Sequence, residues 1–283
     1  MKVQVDDVKL YFDVIGAKRV ADGATMVERP TLVLLHGGPG FDHTIWADTV
    51  GPLSDWAQVV VYDHRGNGRS DPGPHEKWTL EQWGDDVAGF CDALDIVKPV
   101  VIGSSFGGFV AISYAGRHPD HPGKVVLDST SARLVIERMF PVFERLGGPA
   151  AAEVARRFWT DPSMENLLEY GQVCMPLYSR RADAMDKQAK QIGRTLMNVD
   201  VLQHFITEVQ PTYDQTALLS KITCPALVLS GDDDPVTPTA CAEEIVTGLD
   251  PSLVRYERYP AGHGMFGELP EQANALLREF VES

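Results

Sequence analysis

Short apolar runs alternate with segments of helical periodicity along the first half of the chain, and this alternation restricts the fold more than any other feature. Runs of five or six residues rich in Val, Ile and Leu recur at Thr31–His36, Gln58–Asp63, Pro99–Gly103 and Lys124–Asp128. Such runs are typical of strands that are buried on both faces. Helical stripes follow two of them, from Thr79 and from Phe106. The pattern predicts an α/β fold with a mainly parallel central sheet flanked by helices.

The same alternation returns near the C-terminus. Strands are predicted at Ala226–Ser230 and Leu253–Tyr259, and helices at 239–248 and from Pro270 through Val281. At the other end, Val3 to Val14 alternates apolar and polar residues, which predicts a hairpin or two short strands. Residues 16–30 are expected to form a loop.

Residues 129–218 break the alternation. They are rich in Arg, Glu, Met and Ala, which predicts several helices without strands. An all-helical insertion between two sheet strands is expected to cover the carboxyl edge of the sheet, where open α/β sheets bind ligands. We therefore expect a core domain of residues 1–128 and 219–283 and a helical cap subdomain of residues 129–218.

Composition and charge limit the classes of partner that the chain is expected to bind. The net charge of −15 over 283 residues disfavours nucleic acid and anionic membrane surfaces. The N-terminus lacks the apolar stretch of a secretory signal, and no run is long enough to cross a bilayer, so we expect a cytoplasmic protein. No metal site or phosphate-binding glycine loop is indicated, so no cofactor is expected. The scattered cysteines are expected to be reduced thiols: Cys91, Cys174, Cys224 and Cys241.

The segment Gly103-Ser104-Ser105-Phe106-Gly107 carries the first chemical signal. It has the form G-x-S-x-G and lies between a predicted strand and a predicted helix. A sharp turn from strand to helix crowds the backbone at the central serine, so only small neighbours fit. The turn pushes the Ser105 hydroxyl above the sheet, which predicts Ser105 as a nucleophile.

A serine hydroxyl needs a base, and His263 is the candidate. It lies in Ala261-Gly262-His263-Gly264, after the last predicted strand. The orienting acid is expected to be Asp234, in Gly231-Asp232-Asp233-Asp234, so that the order along the chain is serine, acid, histidine. Asp232 and Asp233 remain open as turn-capping residues, and Asp128 is the alternative acid.

The loop His36-Gly37-Gly38-Pro39-Gly40 supplies a candidate oxyanion hole. The hole needs two backbone donors aimed at the developing negative charge. We expect the N–H groups of Phe106 and Gly38 to serve, with Gly37 as the alternative to Gly38. His36 is expected to be structural, because it precedes the serine in the chain.

Together these segments resemble the proline iminopeptidase family of the α/β-hydrolase superfamily. The resemblance rests on His36–Gly40, on Asp63-His-Arg-Gly-Asn-Gly-Arg-Ser70, on the turn at Ser105, on Gly231-x-x-Asp234-x-x-Thr237-Pro238 and on Gly262-His263-Gly264. It covers roughly residues 30–128 and 222–283. It implies an α/β-hydrolase fold, the triad Ser105, Asp234 and His263, and release of an N-terminal residue from a peptide or amide through an acyl-enzyme.

The sequence departs from that family in the insertion, which lacks the Trp-Glu-Gly-like element associated with binding the substrate's free amine. An ammonium group needs a carboxylate in a partly desolvated site. The candidate carboxylates are Glu137, Glu144, Glu153, Glu165 and Glu169. The apolar stretch Cys174–Tyr178 could line an acyl pocket or form plain core.

These observations leave more than one function open. We expect first an aminopeptidase for small N-terminal residues that resembles the proline iminopeptidases, which His36–Gly40 favours. The alternative is an esterase, lactonase or other amide hydrolase, which the insertion favours. The expected partner is a small molecule or a short peptide; the sequence does not indicate an oligomeric state. A hydrolase of carbon–carbon bonds and a binding protein without turnover remain further alternatives, whereas an epoxide hydrolase or a dehalogenase would need a carboxylate in place of Ser105.

Overall fold

The strands form one large sheet and one small hairpin. The computed structural model describes the backbone of residues 1–283 and every side chain other than that of Gln188. The strands are β1 Lys2–Val5, β2 Val8–Ile15, β3 Arg19–Asp22, β4 Thr25–Glu28, β5 Thr31–Leu35, β6 Gln58–Tyr62, β7 Val100–Ser104, β8 Lys124–Asp128, β9 Ala226–Gly231 and β10 Val254–Tyr259. The helices are α1 Val50–Ser54, α2 Leu80–Ala93, α3 Phe106–Arg117, α4 Phe140–Thr160, α5 Met164–Val173, α6 Ala184–Arg194, α7 Val199–His204, α8 Thr216–Leu219, α9 Thr239–Gly248, α10 Met265–Glu268 and α11 Pro270–Glu282.

The large sheet has eight strands in the order β1-β2-β6-β5-β7-β8-β9-β10. The β1–β2 hairpin and the β2–β6 pair are antiparallel, and all the other neighbours are parallel. The predicted mainly parallel sheet is therefore confirmed. Its parallel strands all end at one edge, so the loops that follow them lie close together in space.

Period-two alternation explains why the central strands are apolar throughout. Within β5, Val33 and Leu35 belong to the core between the sheet and the helices α2 and α3, whereas Leu32 and Leu34 belong to the core on the opposite face. Because successive side chains of a strand point to opposite faces, a strand covered on both sides must be apolar at every position.

The loop prediction for residues 16–30 is wrong. This segment holds the antiparallel pair β3–β4, with Arg19 opposite Glu28 and Asp22 opposite Thr25. Nearly all of its residues are exposed, so it has no apolar face from which a strand could be recognised. The signal that could have found it is Asp22-Gly23, because a glycine with positive φ at the turn suits a tight hairpin.

The insertion of residues 129–218 leaves the sheet at the carboxyl end of β8 and contains α4 to α7 and all but the last residue of α8. Helix α4 is kinked at Gly148, whose φ is +80°, just before Pro149. Its only strand-like feature among the described residues is one isolated bridge, between Arg133 and Asp214. The helical character predicted for this segment is confirmed.

Candidate active site

Ser105 lies in the turn that joins β7 to α3. Its φ of +54° and ψ of −120° are rare for a residue that carries a Cβ atom. The flanking glycines are required by space: a Cβ on Gly103 would lie 2.2 Å from the carbonyl oxygen of Gly107, and one on Gly107 would lie 2.2 Å from that of Leu35. The sequence therefore produces the sharp strand-to-helix turn that the G-x-S-x-G pattern predicts.

His263 and Asp234 form a hydrogen-bonded pair. His263 follows β10, Asp234 follows β9, and His263 Nδ1 lies 2.8 Å from Asp234 Oδ2. Asp234 is buried and also accepts hydrogen bonds from the N–H groups of Val236 and Thr237 and from the Thr237 hydroxyl. Because a carboxylate can only accept, the proton is on Nδ1, and Nε2 is the nitrogen left to take a proton.

The environment of this pair shifts both pKa values. Burial opposes the charge of Asp234, but His263 and Thr237 outweigh it and lower the pKa of Asp234. Burial likewise opposes the imidazolium, but the charge and hydrogen bond of Asp234 outweigh it and raise the pKa of His263 above 6.5. The pair is therefore arranged to hold a proton on the imidazole once one is transferred to it.

The other aspartates that were candidates for the acid have different partners. Asp232 accepts a hydrogen bond from Arg258, and Asp233 binds Arg145 and Arg180 of the insertion. Neither is hydrogen-bonded to His263 among the described residues.

Asp128 is fully buried at the end of β8. Its Oδ1 accepts the N–H of Met265 at 2.9 Å, and its Oδ2 accepts the Ser104 hydroxyl at 3.1 Å. Burial raises the pKa of Asp128 to about 6. This alternative acid thus faces the backbone beyond His263 rather than the imidazole Nδ1.

The turn at Ser105 and the loop of His263 are both fastened to the segment Asp128–Thr130. The carbonyl oxygen of Asp128 accepts the N–H of Ser105, and the Thr130 hydroxyl donates to the carbonyl oxygen of Ser105. On the other side, the Ser129 hydroxyl accepts the N–H of Gly264 at 2.8 Å. Sequence reasoning missed this connection; the strained φ of +46° at Ser129 reflects it but is not visible in the sequence.

The serine hydroxyl itself is not hydrogen-bonded to the histidine. Among the described residues, the hydrogen bonds of His263 go to Asp234 and to the carbonyl oxygen of Tyr178. A longer approach of nucleophile and base is common in the absence of substrate.

The glycine loop after β5 lies directly against the serine. A Cβ on Gly37 would lie 3.2 Å from the Cβ of Ser105, and Gly38 has a φ of +62°. Gly40 is held from two sides, since its N–H donates to Asn67 Oδ1 and its carbonyl accepts the N–H of Asn198. Phe106, as the first residue of α3, has an N–H with no acceptor inside the helix.

His36 is fully buried, and its Nε2 accepts the N–H of His64. Burial lowers the pKa of His36, which keeps the ring neutral. These contacts hold the start of the glycine loop against the turn that follows β6, which agrees with the structural role expected for this histidine.

The insertion brings aromatic side chains to the site. The Tyr178 ring lies edge-on to the His263 ring at 5.3 Å, and the Phe205 ring lies 5.5 Å from that of Phe106. In residues 129–218, the described polar side chains that are buried carry hydroxyl or amide groups: Ser129, Thr130, Ser131, Tyr170, Tyr213 and Gln215. Of the candidate amine anchors, Glu169 is partly exposed and paired with Arg157, and the others are exposed: Glu137, Glu144, Glu153 and Glu165.

Among the described residues, no three His, Cys, Asp or Glu side chains are grouped so that they could hold a metal ion. No helix of the described chain combines the length and the apolar character needed to cross a bilayer.

Comparison with known families identifies the fold. The family described as alpha/beta hydrolase fold matches residues 30–268, which is most of the chain. The chain belongs to the α/β-hydrolase family. It is therefore a hydrolase by family and fold, and the resemblance inferred from the glycine loop and the G-x-S-x-G turn is confirmed.

Several known proteins resemble the chain over nearly its whole length. A protein named "Putative carbamate hydrolase RutD" from Caulobacter sp. strain K31 is 28% identical over 94% of this chain and 96% of its own. A proline iminopeptidase of Lactobacillus helveticus is 29% identical over 96% of this chain and 94% of its own. The crystal structure of the enol-lactonase from Burkholderia xenovorans LB400 has a TM-score of 0.76 and 25% identity, with both chains covered completely.

Proposed function

We propose that this α/β-hydrolase is a serine hydrolase that cleaves a neutral acyl substrate, an ester or a lactone, through an acyl-enzyme. In this proposal Ser105 is the nucleophile, His263 the general base and Asp234 the acid that orients the imidazole. The supporting geometry is the Asp234–His263 hydrogen bond of 2.8 Å and the strained turn that carries Ser105. It is also supported by the attachment of both segments to Asp128–Thr130.

The first half of the reaction forms the acyl-enzyme. The Ser105 oxygen attacks the substrate carbonyl carbon, and its proton moves to His263 Nε2. The carbonyl oxygen becomes an oxyanion that accepts hydrogen bonds from the N–H groups of Phe106 and Gly38, with Gly37 as the alternative donor. The bond to the leaving group then breaks, and the leaving alcohol takes the proton from His263.

The second half releases the acid. Water gives a proton to His263 Nε2 and attacks the acyl carbon, and a second oxyanion forms in the same place. The ester bond to Ser105 breaks, and Ser105 recovers its proton from His263. Asp234 stays ionised throughout and stabilises the imidazolium in both halves, which its lowered pKa supports.

The observation that carries the choice of a neutral substrate is the polarity of the insertion. We propose that residues 129–218 form a cap subdomain over a core of residues 1–128 and 219–283. The buried part of that insertion offers aromatic rings, hydroxyls and an amide among its described residues, but no carboxylate. Without a buried carboxylate of the insertion as its partner, an ammonium group bound there would lose its hydration without compensation. An uncharged acyl group or lactone ring has no such penalty.

An aminopeptidase remains the second candidate. It is favoured by the His36–Gly40 segment and by the 29% identity to the proline iminopeptidase of Lactobacillus helveticus. In that case an ammonium would have to be bound by a carboxylate that becomes buried only when substrate is present.

Two chromogenic substrates separate the candidates. We expect the protein to hydrolyse a short-chain p-nitrophenyl ester and to leave prolyl p-nitroanilide nearly untouched. We expect Ser105→Ala to abolish ester hydrolysis and Ser104→Ala, the matched control one residue away, to retain it. Rapid cleavage of the free-amine anilide, lost when the amine is acetylated, would instead establish the aminopeptidase.

A further inference from the structure

Glu268, at the end of α10, is a buried carboxylate that the proposed reaction does not use. It is 5% exposed. Its Oε2 accepts the N–H of Gly262 at 3.0 Å and the N–H of Arg180 at 2.8 Å, and its Oε1 accepts the Ser179 hydroxyl. Gly262 directly precedes His263, whereas Ser179 and Arg180 belong to the insertion. One side chain therefore joins the insertion to the loop of the general base.

Backbone contacts reinforce the same junction. The N–H of His263 donates to the carbonyl oxygen of Tyr178 at 2.6 Å. A Cβ on Gly262 would lie 2.1 Å from that same oxygen, so the two segments approach as closely as a glycine permits. Arg181 adds a hydrogen bond from Nη1 to the carbonyl oxygen of Glu268. We call residues 178–181 the clasp segment.

The structure points to Glu268 as a positioning residue that fixes the imidazole of His263 by binding the clasp segment and Gly262 at once. This inference rests on the proposed function, because it assigns a role relative to the proposed base. Three donors converge on one buried carboxylate, and withdrawing the clasp segment would leave that charge without two of them. The position of His263 is thereby tied to the position of the insertion that receives the substrate.

The carboxylate also contributes to the field at His263. The charged groups that face the imidazole are Asp234 from the loop after β9, Asp128 from β8 and Glu268 from α10, and the Tyr178 ring covers it from the insertion. Each carboxylate raises the pKa of His263. Activity should rise with pH as His263 loses its proton, and we call this rise the acid limb of the pH profile. Removing the charge at Glu268 should therefore move the acid limb to lower pH.

The test compares Glu268→Gln with Glu271→Gln, which removes the same charge from an exposed residue in the first turn of α11. Functional sites are first counted by titration with a fluorophosphonate, and kcat and KM for the p-nitrophenyl ester are then measured per site across pH. For Glu268→Gln we expect kcat about tenfold to a hundredfold lower, KM little changed and the acid limb at lower pH. Glu271→Gln should match the wild type.

A second variant weakens the same junction by a change in the insertion that leaves the charge of the protein unaltered. Ser179→Ala removes one donor to Glu268, so kcat should fall severalfold while the acid limb stays in place. In the double variant with Glu268→Gln, the losses should combine to less than their product, since both break the same junction.

Two results would overturn this inference and leave the proposed function intact. One is that Glu268→Gln and Glu271→Gln have the same kcat per site and the same pH midpoint. The other is that the losses of kcat in the double variant multiply as if they were independent. A purely structural role would reduce the number of titratable sites but leave kcat per site unchanged. If the fluorophosphonate fails to modify Ser105 in the wild type, the proposed function falls, and the inference falls with it.

Discussion

His263 combines two opposing influences in one ring. Burial favours the neutral form, and the adjacent Asp234 favours the charged form and prevails, so the pKa of His263 is raised. A base in this setting accepts the serine proton readily, but it is blocked by protonation over a wider acidic range.

The pH profile should show this directly. Only the neutral imidazole can accept a proton, so kcat/KM should rise with pH through a midpoint above 6.5, the ordinary pKa of histidine. Asp234→Asn should shift the midpoint to lower pH and reduce kcat by about 10⁴-fold, because the imidazole loses both its charge partner and its tautomer. A midpoint that does not move in Asp234→Asn would remove Asp234 from the proposed triad.

Asp128 allows a prediction about stability. Its pKa is about 6 in the folded protein against an ordinary 3.8, so both states are neutral at low pH. As the pH rises from 3.8 through 6, the unfolded chain ionises in water while the folded protein still keeps its proton, so stability is lost over this range and levels off above it. Asp128→Asn keeps an acceptor for Met265 and avoids that charge. The free energy of unfolding of Asp128→Asn minus that of the wild type should therefore be about 1 kcal/mol larger at pH 8 than at about pH 5.

Chemical denaturation of both proteins at the two pH values measures this difference. A difference in the free energy of unfolding that stays constant from about pH 5 to pH 8 would mean that Asp128 is ionised in the folded state throughout, and a difference that narrows would contradict the direction of its pKa shift.

For single residues, the sequence indicates the proposed catalytic side chains better than the residues that hold them in position. Ser105 and His263 could be proposed from the sequence because each lies in a glycine-bounded segment after a strand. Asp234 was predicted as the acid from its position after a strand, with Asp232 and Asp233 left open as turn-capping residues, and its hydrogen bond to His263 supports that choice. Glu268 gave no signal, because its role depends on contacts with a segment some ninety residues earlier in the chain.

Among the elements, the β7–α3 turn depends most strictly on residue size. Gly107→Ala would place a Cβ 2.2 Å from the backbone oxygen of Leu35, which no side-chain rotation can relieve. We expect the free energy of unfolding to fall by about 1–3 kcal/mol. We also expect no fluorophosphonate labelling, because the turn that presents Ser105 must shift.

Gly171→Ala is the matched control, since a Cβ at this position in the last turn of α5 meets nothing within 4 Å. It should keep labelling and gain about 0.5–1 kcal/mol from helix propensity. Thermal unfolding of the two variants and the wild type tests both the expected loss of stability in Gly107→Ala and the expected gain in Gly171→Ala. An unaltered Gly107→Ala protein would contradict the close contact.

Elements with strong patterns were predicted well, and exposed ones were not. The helix 239–248 matches α9, and the predicted end strand matches β10 to within one residue. The Thr79 hydroxyl accepts the N–H of Gln82 and caps α2 at the residue from which the helical stripe was predicted. The hairpin β3–β4 was missed because it buries almost nothing, and periodicity reports burial rather than backbone conformation.

For the whole molecule, the alternation of strands and helices was sufficient to predict a parallel sheet, but it did not specify the order of the strands. That order depends on which neighbours pair, and β6 lies between β2 and β5 through contacts that no local pattern encodes. The insertion was the least predictable part, since it has no sheet to fix the positions of its helices. Its aromatic contacts with the site became visible only in the structure.

The four cysteines are free and buried, as expected of reduced thiols: Cys91, Cys174, Cys224 and Cys241. Burial raises their thiol pKa values to about 12, 12, 11 and 11, so the reactive thiolate is scarce at neutral pH. Native protein should give no reaction with a disulfide reagent such as DTNB over minutes, and four thiols should react in denaturant. A thiol that reacts at once in the native protein would show that its part of the core opens readily.

The most direct test of the account is the site of phosphonylation. Native protein is treated with a fluorophosphonate, in which the serine oxygen displaces fluoride from phosphorus, and the adduct is located by peptide mass spectrometry. We predict a single adduct on Ser105, lost in Ser105→Ala, retained in Ser104→Ala and formed far more slowly in His263→Ala. An adduct on Ser104, or none in a preparation that hydrolyses the ester, would contradict the assignment of Ser105 as the nucleophile.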